Sequence, residues 1–162
     1  MAFILAADGR DADIPGSFRR YKDYLQSLQD VFPPLAFALA TTDWYFNFTD
    51  HRCPHDAWLE TLSLYELPAG DGSRERSLSL NVRLLGAYHD GHIELRYANV
   101  LRYELNVSDA ERGHRDWRYD ELRMSERGHL IHEIEWRGTS DVGIWVIEAS
   151  DLEFLWLPIE GT

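Results

Sequence analysis

From Phe18 to Phe32, apolar side chains recur at steps of three and four: Phe18, Tyr21, Leu25, Leu28 and Phe32. That spacing draws one apolar stripe along a helix. Ser17 stands where an N-cap belongs, and Pro33-Pro34 stops the helix. A second short helix is predicted from Pro34 through "LAFALA", ending near Thr41.

From Trp58 onward the period falls to two. "WLETLSLYEL" reads as a strand and "PAGDGSRE" as the loop after it. "RSLSLNVRLLGAYH" then puts Leu78, Leu80, Val82 and Leu84 on one face. Asp90-Gly91 is a two-residue hairpin signal, because both central positions of a type I′ turn need positive φ. The return strand, "HIELRYANVLRYEL", aligns Ile93, Leu95 and Tyr97. Four further strands follow, in "DWRYDELRMS", "HLIHEIEWR", "IWVIEA" and "DLEFLW". The predicted fold is α+β. N-terminal helices pack on a curved, mostly antiparallel meander sheet or partial barrel of about seven strands, and residues 1–162 form a single domain.

The last turns are short enough to predict cross-strand pairs. A two-residue turn at Ser150-Asp151 would set Glu148 opposite Glu153, Ile147 opposite Phe154 and Trp145 opposite Trp156. A symmetric hairpin at "GTSDVG" would set Trp136 opposite Trp145 and Glu133 opposite Glu148. One face would then carry the row Trp136, Trp145, Trp156 as a stacked aromatic core. The other would carry Glu133, Glu148 and Glu153, with Glu135 beside them. Like charges directly opposed on neighbouring strands destabilise a sheet, so such a row calls for side chains splayed into solvent or met by arginines, or for a docking face for a cationic partner.

Charge supports that reading. The chain has a formal net charge of −12, and Lys22 is its only lysine. From Glu133 to Thr162 seven acids face one base, Arg137. This balance argues against nucleic acid as a partner, since phosphates must be met by cations. The 44% hydrophobic and 13% aromatic content exclude disorder. One cysteine permits no internal disulfide and fits a reducing compartment. The opening apolar run, "FILAA", is too short for a signal peptide or membrane span, so a cytoplasmic location is expected.

"HRCPHD" brings His51, Cys53 and His55 onto alternate positions of an extended segment. Cysteine and histidine are good zinc ligands, but no second Cys pair exists and these three sit too close together to close around one ion. No metal and no cofactor is expected. His55 and Asp56 suit hydrogen bonding at the start of a strand, with Trp58 anchoring it. A metalloprotease HExxH, a Gly-rich phosphate loop and a serine-nucleophile elbow are all absent, and no catalytic residue is assigned. His132 shares the apolar parity of Leu130, Ile134 and Trp136, as a hydrogen-bonded core histidine would.

"PHDAWLETLSL", "IELRYANVLRYEL" and "HEIEW…WVIEASDLEFLW" resemble a loose group of small bacterial β-rich proteins, some of them toxin-immunity proteins. The resemblance spans residues 54 to 157 and carries over no catalytic residue. It implies an acidic inhibitor. The expectation is therefore a non-catalytic interaction protein binding a basic protein partner through Glu133, Glu135, Glu148 and Glu153. The alternative is a small hydrolase or ligand-binding β-module with a Glu/His site in the curved sheet.

Overall fold

The computed structural model describes residues 3–72, 74–107, 110–138 and 141–161. Three helices come first: α1 (Ala7–Arg10), α2 (Ile14–Ser27) and α3 (Pro34–Ala40). Eight strands follow: β1 (Trp58–Pro68), β2 (Arg76–Leu85), β3 (Gly91–Ala98), β4 (Arg102–Asn106), β5 (Asp116–Met124), β6 (Leu130–Arg137), β7 (Val142–Ala149) and β8 (Asp151–Pro158). All pair antiparallel, in the order β4-β7-β6-β5-β1-β2-β3-β8. The α+β architecture stands as expected, with eight strands where about seven were predicted.

The helix with the apolar stripe starts earlier than its spacing suggested. Asp13 is the N-cap, accepting from the Gly16 amide at 3.0 Å, while Ser17 is buried inside the helix. It also ends before Phe32, at Ser27, so Phe32 joins the core from a turn.

The strand order departs from a simple meander in one systematic way. β1-β2-β3 is a meander whose fourth neighbour is β8, and β5-β6-β7 is a meander whose fourth neighbour is β4. Each half is thus completed by the strand that follows the other half. The predicted single strand "IELRYANVLRYEL" breaks for this reason. Asn99 adopts positive φ (48°), and the chain crosses between halves at Asn99–Leu101. The return crossing at Ser150 lies against it: Ser150 N–H donates to Ala98 O at 2.9 Å, and Leu101 N–H to Glu148 O at 2.8 Å.

The predicted β7–β8 hairpin is corrected by this topology. Ser150 is used in the crossing, and β8 pairs with β3, so Trp156 faces Ile93 and Glu153 faces Arg96. The β6–β7 register is also shifted, with Trp145 opposite Ile134, Glu133 opposite Val146 and Glu148 opposite Ile131. Trp136 and Trp145 nonetheless touch, with centroids 5.0 Å apart, and Trp117 of β5 is their third partner at 5.4 Å from Trp136. All three are buried.

Trp156 instead lies over the β2–β3 turn. A Cβ on Gly91 would fall 2.2 Å from its ring, so Gly91 is required by close packing. The positive φ of that turn belongs to His89, at 59°. This corrects the two-residue Asp90-Gly91 turn: the loop is longer, with the Gly86 amide donating to Gly91 O.

Between the halves, β1 and β5 share one ladder position, Trp58 opposite Asp116. Beyond it the strands diverge, and helix α2 serves the edge of β5. The Tyr21 hydroxyl donates to Leu122 O at 2.8 Å and accepts from Leu122 N–H at 2.9 Å; the Tyr24 hydroxyl accepts from Met124 N–H. Two tyrosines replace the missing strand. Inward residues of both halves and the helices form one core, including Leu80, Val82, Leu84, Ile93, Leu95 and Ile134.

Candidate anion-binding cleft

The titratable groups that drew attention in the sequence sit mostly in sealed surroundings. His132 on β6 is fully buried, with Nε2 2.8 Å from Asp120 Oδ2 and Nδ1 2.7 Å from the Tyr97 hydroxyl. Asp120 also accepts from the Tyr45 hydroxyl at 2.7 Å and from the Trp117 indole at 3.1 Å. Burial, reinforced by the Asp120 charge, pushes the Tyr45 and Tyr97 hydroxyls well above their usual range, so both remain donors. Every polar atom in this group is satisfied by another protein atom, the state expected of a structural network.

The four glutamates of the expected docking face are not gathered into one exposed row. Glu135 is buried and held by Arg10, whose Nη1 lies 2.8 Å away and whose guanidinium stacks 3.6 Å from the Tyr119 ring centroid. Glu148 is buried and receives Arg127 at 2.6 and 3.2 Å. Burial raises the Glu148 carboxyl, but the bonds from Arg127 and Ser125 outweigh it and hold the group below its usual value. Glu133 is half-buried and paired with Arg123. Only Glu153 is exposed, 3.6 Å from Arg96 on the neighbouring strand β3.

Cys53, His51 and His55 do not converge either. The Cys53 thiol is buried against Tyr45 O at 3.0 Å, and burial pushes it up to about 12. His51 stacks on Tyr88 and bonds Asp90 at 2.5 Å, while His55 stacks on Phe48. Among the described residues, no group of three His, Cys, Asp or Glu side chains could hold a metal ion.

The most developed cavity lies where β1 and β5 touch. It encloses about 550 Å³ and is lined by Trp58, His114 and Asp116 together with Arg112, Arg115, Arg118 and Arg137. The fold builds it at the one ladder position between the halves, where the strands begin to diverge and open a gap. Trp58 is 49% exposed, and its indole N–H is fixed by Asp116 Oδ1 at 2.9 Å. His114 sits edge-on to Trp136 and Trp145 at 5.6 and 5.1 Å, and burial lowers it, so its imidazole is neutral near pH 7.

The cleft's charge therefore comes from arginine. Arg118 pairs with Asp56 at 2.9 Å, and Arg137 stands 3.8 Å from both Asp11 and Glu135. Arg112 and Arg115 make no ion pair among the described residues. Arg115 is held at positive φ (66°), and its buried Nε has no hydrogen-bond partner among the described residues. Positive φ in a non-glycine residue costs backbone energy that the surrounding packing must hold. Gly138 lets this happen: a Cβ there would fall 3.0 Å from Arg115 Cγ and 3.1 Å from Cζ.

Arg112, Arg115 and Arg118 recur every third residue in "RGHRDWR", a local concentration of cations in an acidic chain. That spacing was the available signal. Trp58 and Arg137 join from distant strands, which no local pattern reveals.

Among the described residues no helix is long and apolar enough to cross a membrane. Comparison with protein-family models, curated proteins and solved structures gave no match to this chain.

Proposed function

We propose that the chain is a non-catalytic binding protein that captures an anionic partner in the arginine-lined cleft. The observation that carries this reading is the pair Arg112 and Arg115, without an ion pair among the described residues, beside Trp58 in a chain of net charge −12. Guanidinium groups match carboxylate and phosphate geometry with paired donors, which makes them the preferred anion ligands. The non-catalytic part is supported by the sealed state of the acid–base candidates. Cys53 is buried with a raised pKa, and His132 and Asp120 spend their bonds on the core. The test is titration with compact anions and with an acidic peptide, followed by tryptophan fluorescence. Binding that disappears on Arg112→Glu and Arg118→Glu supports the reading; no saturable binding of any anion would sink it.

A second reading keeps the immunity-type expectation of a basic protein partner, and β1 favours it. Among the described residues the strand's edge is unpaired beyond Trp58, with Leu64, Tyr65 and Leu67 exposed. From Trp58 to Gly72 it carries Glu60, Glu66 and Asp71 and no lysine or arginine. A basic partner could add a strand there. Loss of a basic partner on Glu60→Lys with Glu66→Lys, with anion binding at the cleft intact, would move the function to this edge.

A further inference from the structure

Resting on the cleft reading above, we infer that the ligand is a compact, ring-bearing phosphate monoester of mononucleotide size, rather than an extended polyanion or an acidic peptide. Three observations converge on that chemistry.

The first is size. A cavity of about 550 Å³ falls within the range of roughly 300–1,000 Å³ typical of small-molecule sites. A second, smaller cavity of about 220 Å³ shares Arg118 and Arg137 but is charge-paired, with Asp11 and Glu135 beside Arg10, so the uncompensated arginines belong to the main cleft.

The second is the placement of charge. Among the described residues Asp116 is the only acid lining the main cavity, and one of its oxygens already accepts from the Trp58 indole. The chain as a whole sums to −12 despite these four arginines. Screening limits an exposed charge to about 8 Å at physiological salt. A compact anion seated in the cleft therefore feels the arginines, whereas a longer polyanion extends beyond their screened reach on a chain of net negative charge. A phosphate monoester carries close to two charges near neutral pH, which suits two arginines that have no ion-pair partner among the described residues.

The third is the ring. Trp58 is half-exposed, yet its orientation is fixed by the bond to Asp116 and by contact with His89 at 4.8 Å. A rigid indole beside guanidinium groups offers a stacking surface for a planar ring whose phosphate reaches the arginines. Arg115 brings a further guanidinium to the same wall, from a backbone held at positive φ (66°).

The experiment is calorimetric and fluorescence titration of the full chain with five probes. These are a purine nucleoside 5′-monophosphate, the same nucleoside without phosphate, inorganic phosphate, an acidic peptide and a single-stranded oligonucleotide. The monophosphate is expected to bind at least about tenfold tighter than the nucleoside or phosphate alone, because both ends of the molecule are used. Trp58→Leu should reduce its affinity to that of inorganic phosphate. Arg115→Gln should bring it toward that of the nucleoside. Arg19→Gln, on the exposed face of α2, should change nothing, and circular dichroism checks that each variant is folded. If the acidic peptide binds while the monophosphate does not, this inference falls and the cleft reading survives. An oligonucleotide binding tighter than the monophosphate also overturns it. No binding by any probe overturns both.

Discussion

Two tryptophans donate their indole protons to aspartates in this molecule, with opposite consequences. Trp117 bonds Asp120 at 3.1 Å inside the core, and Trp58 bonds Asp116 at 2.9 Å on the wall of the cleft. Asp120 also receives Tyr45 and His132, so that group is closed. Around Asp116 stand four arginines, two of them without a counter-ion among the described residues. The chemical components are nearly the same. Whether their bonding capacity is spent separates a structural network from a candidate site.

The largest expected effect lies beneath both regions. Trp145→Ala should cost about 3–5 kcal/mol, the range for large-to-small aromatic changes in cores. Trp145 is fully buried and backs His114 on the cleft side. A urea unfolding series that returned less than about 1 kcal/mol would mean the aromatic cluster is not core.

Asp120→Asn should cost about 2–4 kcal/mol, because the amide cannot accept from Tyr45, Trp117 and His132 together. A neutral result would erase the distinction between the closed pair and the open one.

Glu121→Gln tests another buried carboxylate on β5. Glu121 faces Glu133 across the ladder and accepts from Leu5 N–H at 2.7 Å. Burial pushes it from an ordinary 4.5 up to about 7. A raised carboxyl in the folded state means that stability falls as pH rises from about 4.5 to 7, since the unfolded chain releases its proton first. Glutamine should therefore stabilise the protein by about 1–3 kcal/mol at pH 8 and leave it unchanged near pH 4. Paired unfolding curves at the two pH values read this directly. Destabilisation at pH 8 would show that Arg123 holds the ionised form.

Glu148→Gln should cost about 1 kcal/mol, since Arg127, its main partner, is itself largely exposed. A stabilising effect would restore the picture of repelling, free glutamates. The smallest effect is expected at the open pair: Asp116→Asn should change stability by less than about 1 kcal/mol, because an exposed indole regains water. Its signature would be altered anion binding, and a large stability loss would make the cleft another structural network.

The patterns that were legible in the sequence were local. Alternation in β2 and β3 gave their inward residues, with Leu80, Val82, Leu84, Ile93, Leu95 and Tyr97 all buried. His132 was readable as a core histidine because its parity matched Ile134 and Trp136. The register of β8 was not, since Ser150-Asp151 looks like a hairpin turn to any short-range rule. Its actual partner, β3, is specified by packing of Trp156 on Gly91 and by the crossing at Ala98. The glutamate row failed with that register. Arg10, which neutralises Glu135, lies more than a hundred residues away along the chain and belongs to a helix too short to announce itself.

The exchange of fourth strands also shapes how the chain can fold. β1-β2-β3 holds an open edge until the last strand arrives, and β4 waits beside nothing until β7 forms. Neither half can be finished from its own contiguous segment, so stability accrues late and through contacts of high sequence separation, the condition for slow folding. It also binds the halves into one cooperative unit. A chain cut between β4 and β5 yields two fragments, each carrying the strand the other lacks, and they reach the native sheet only by assembling together.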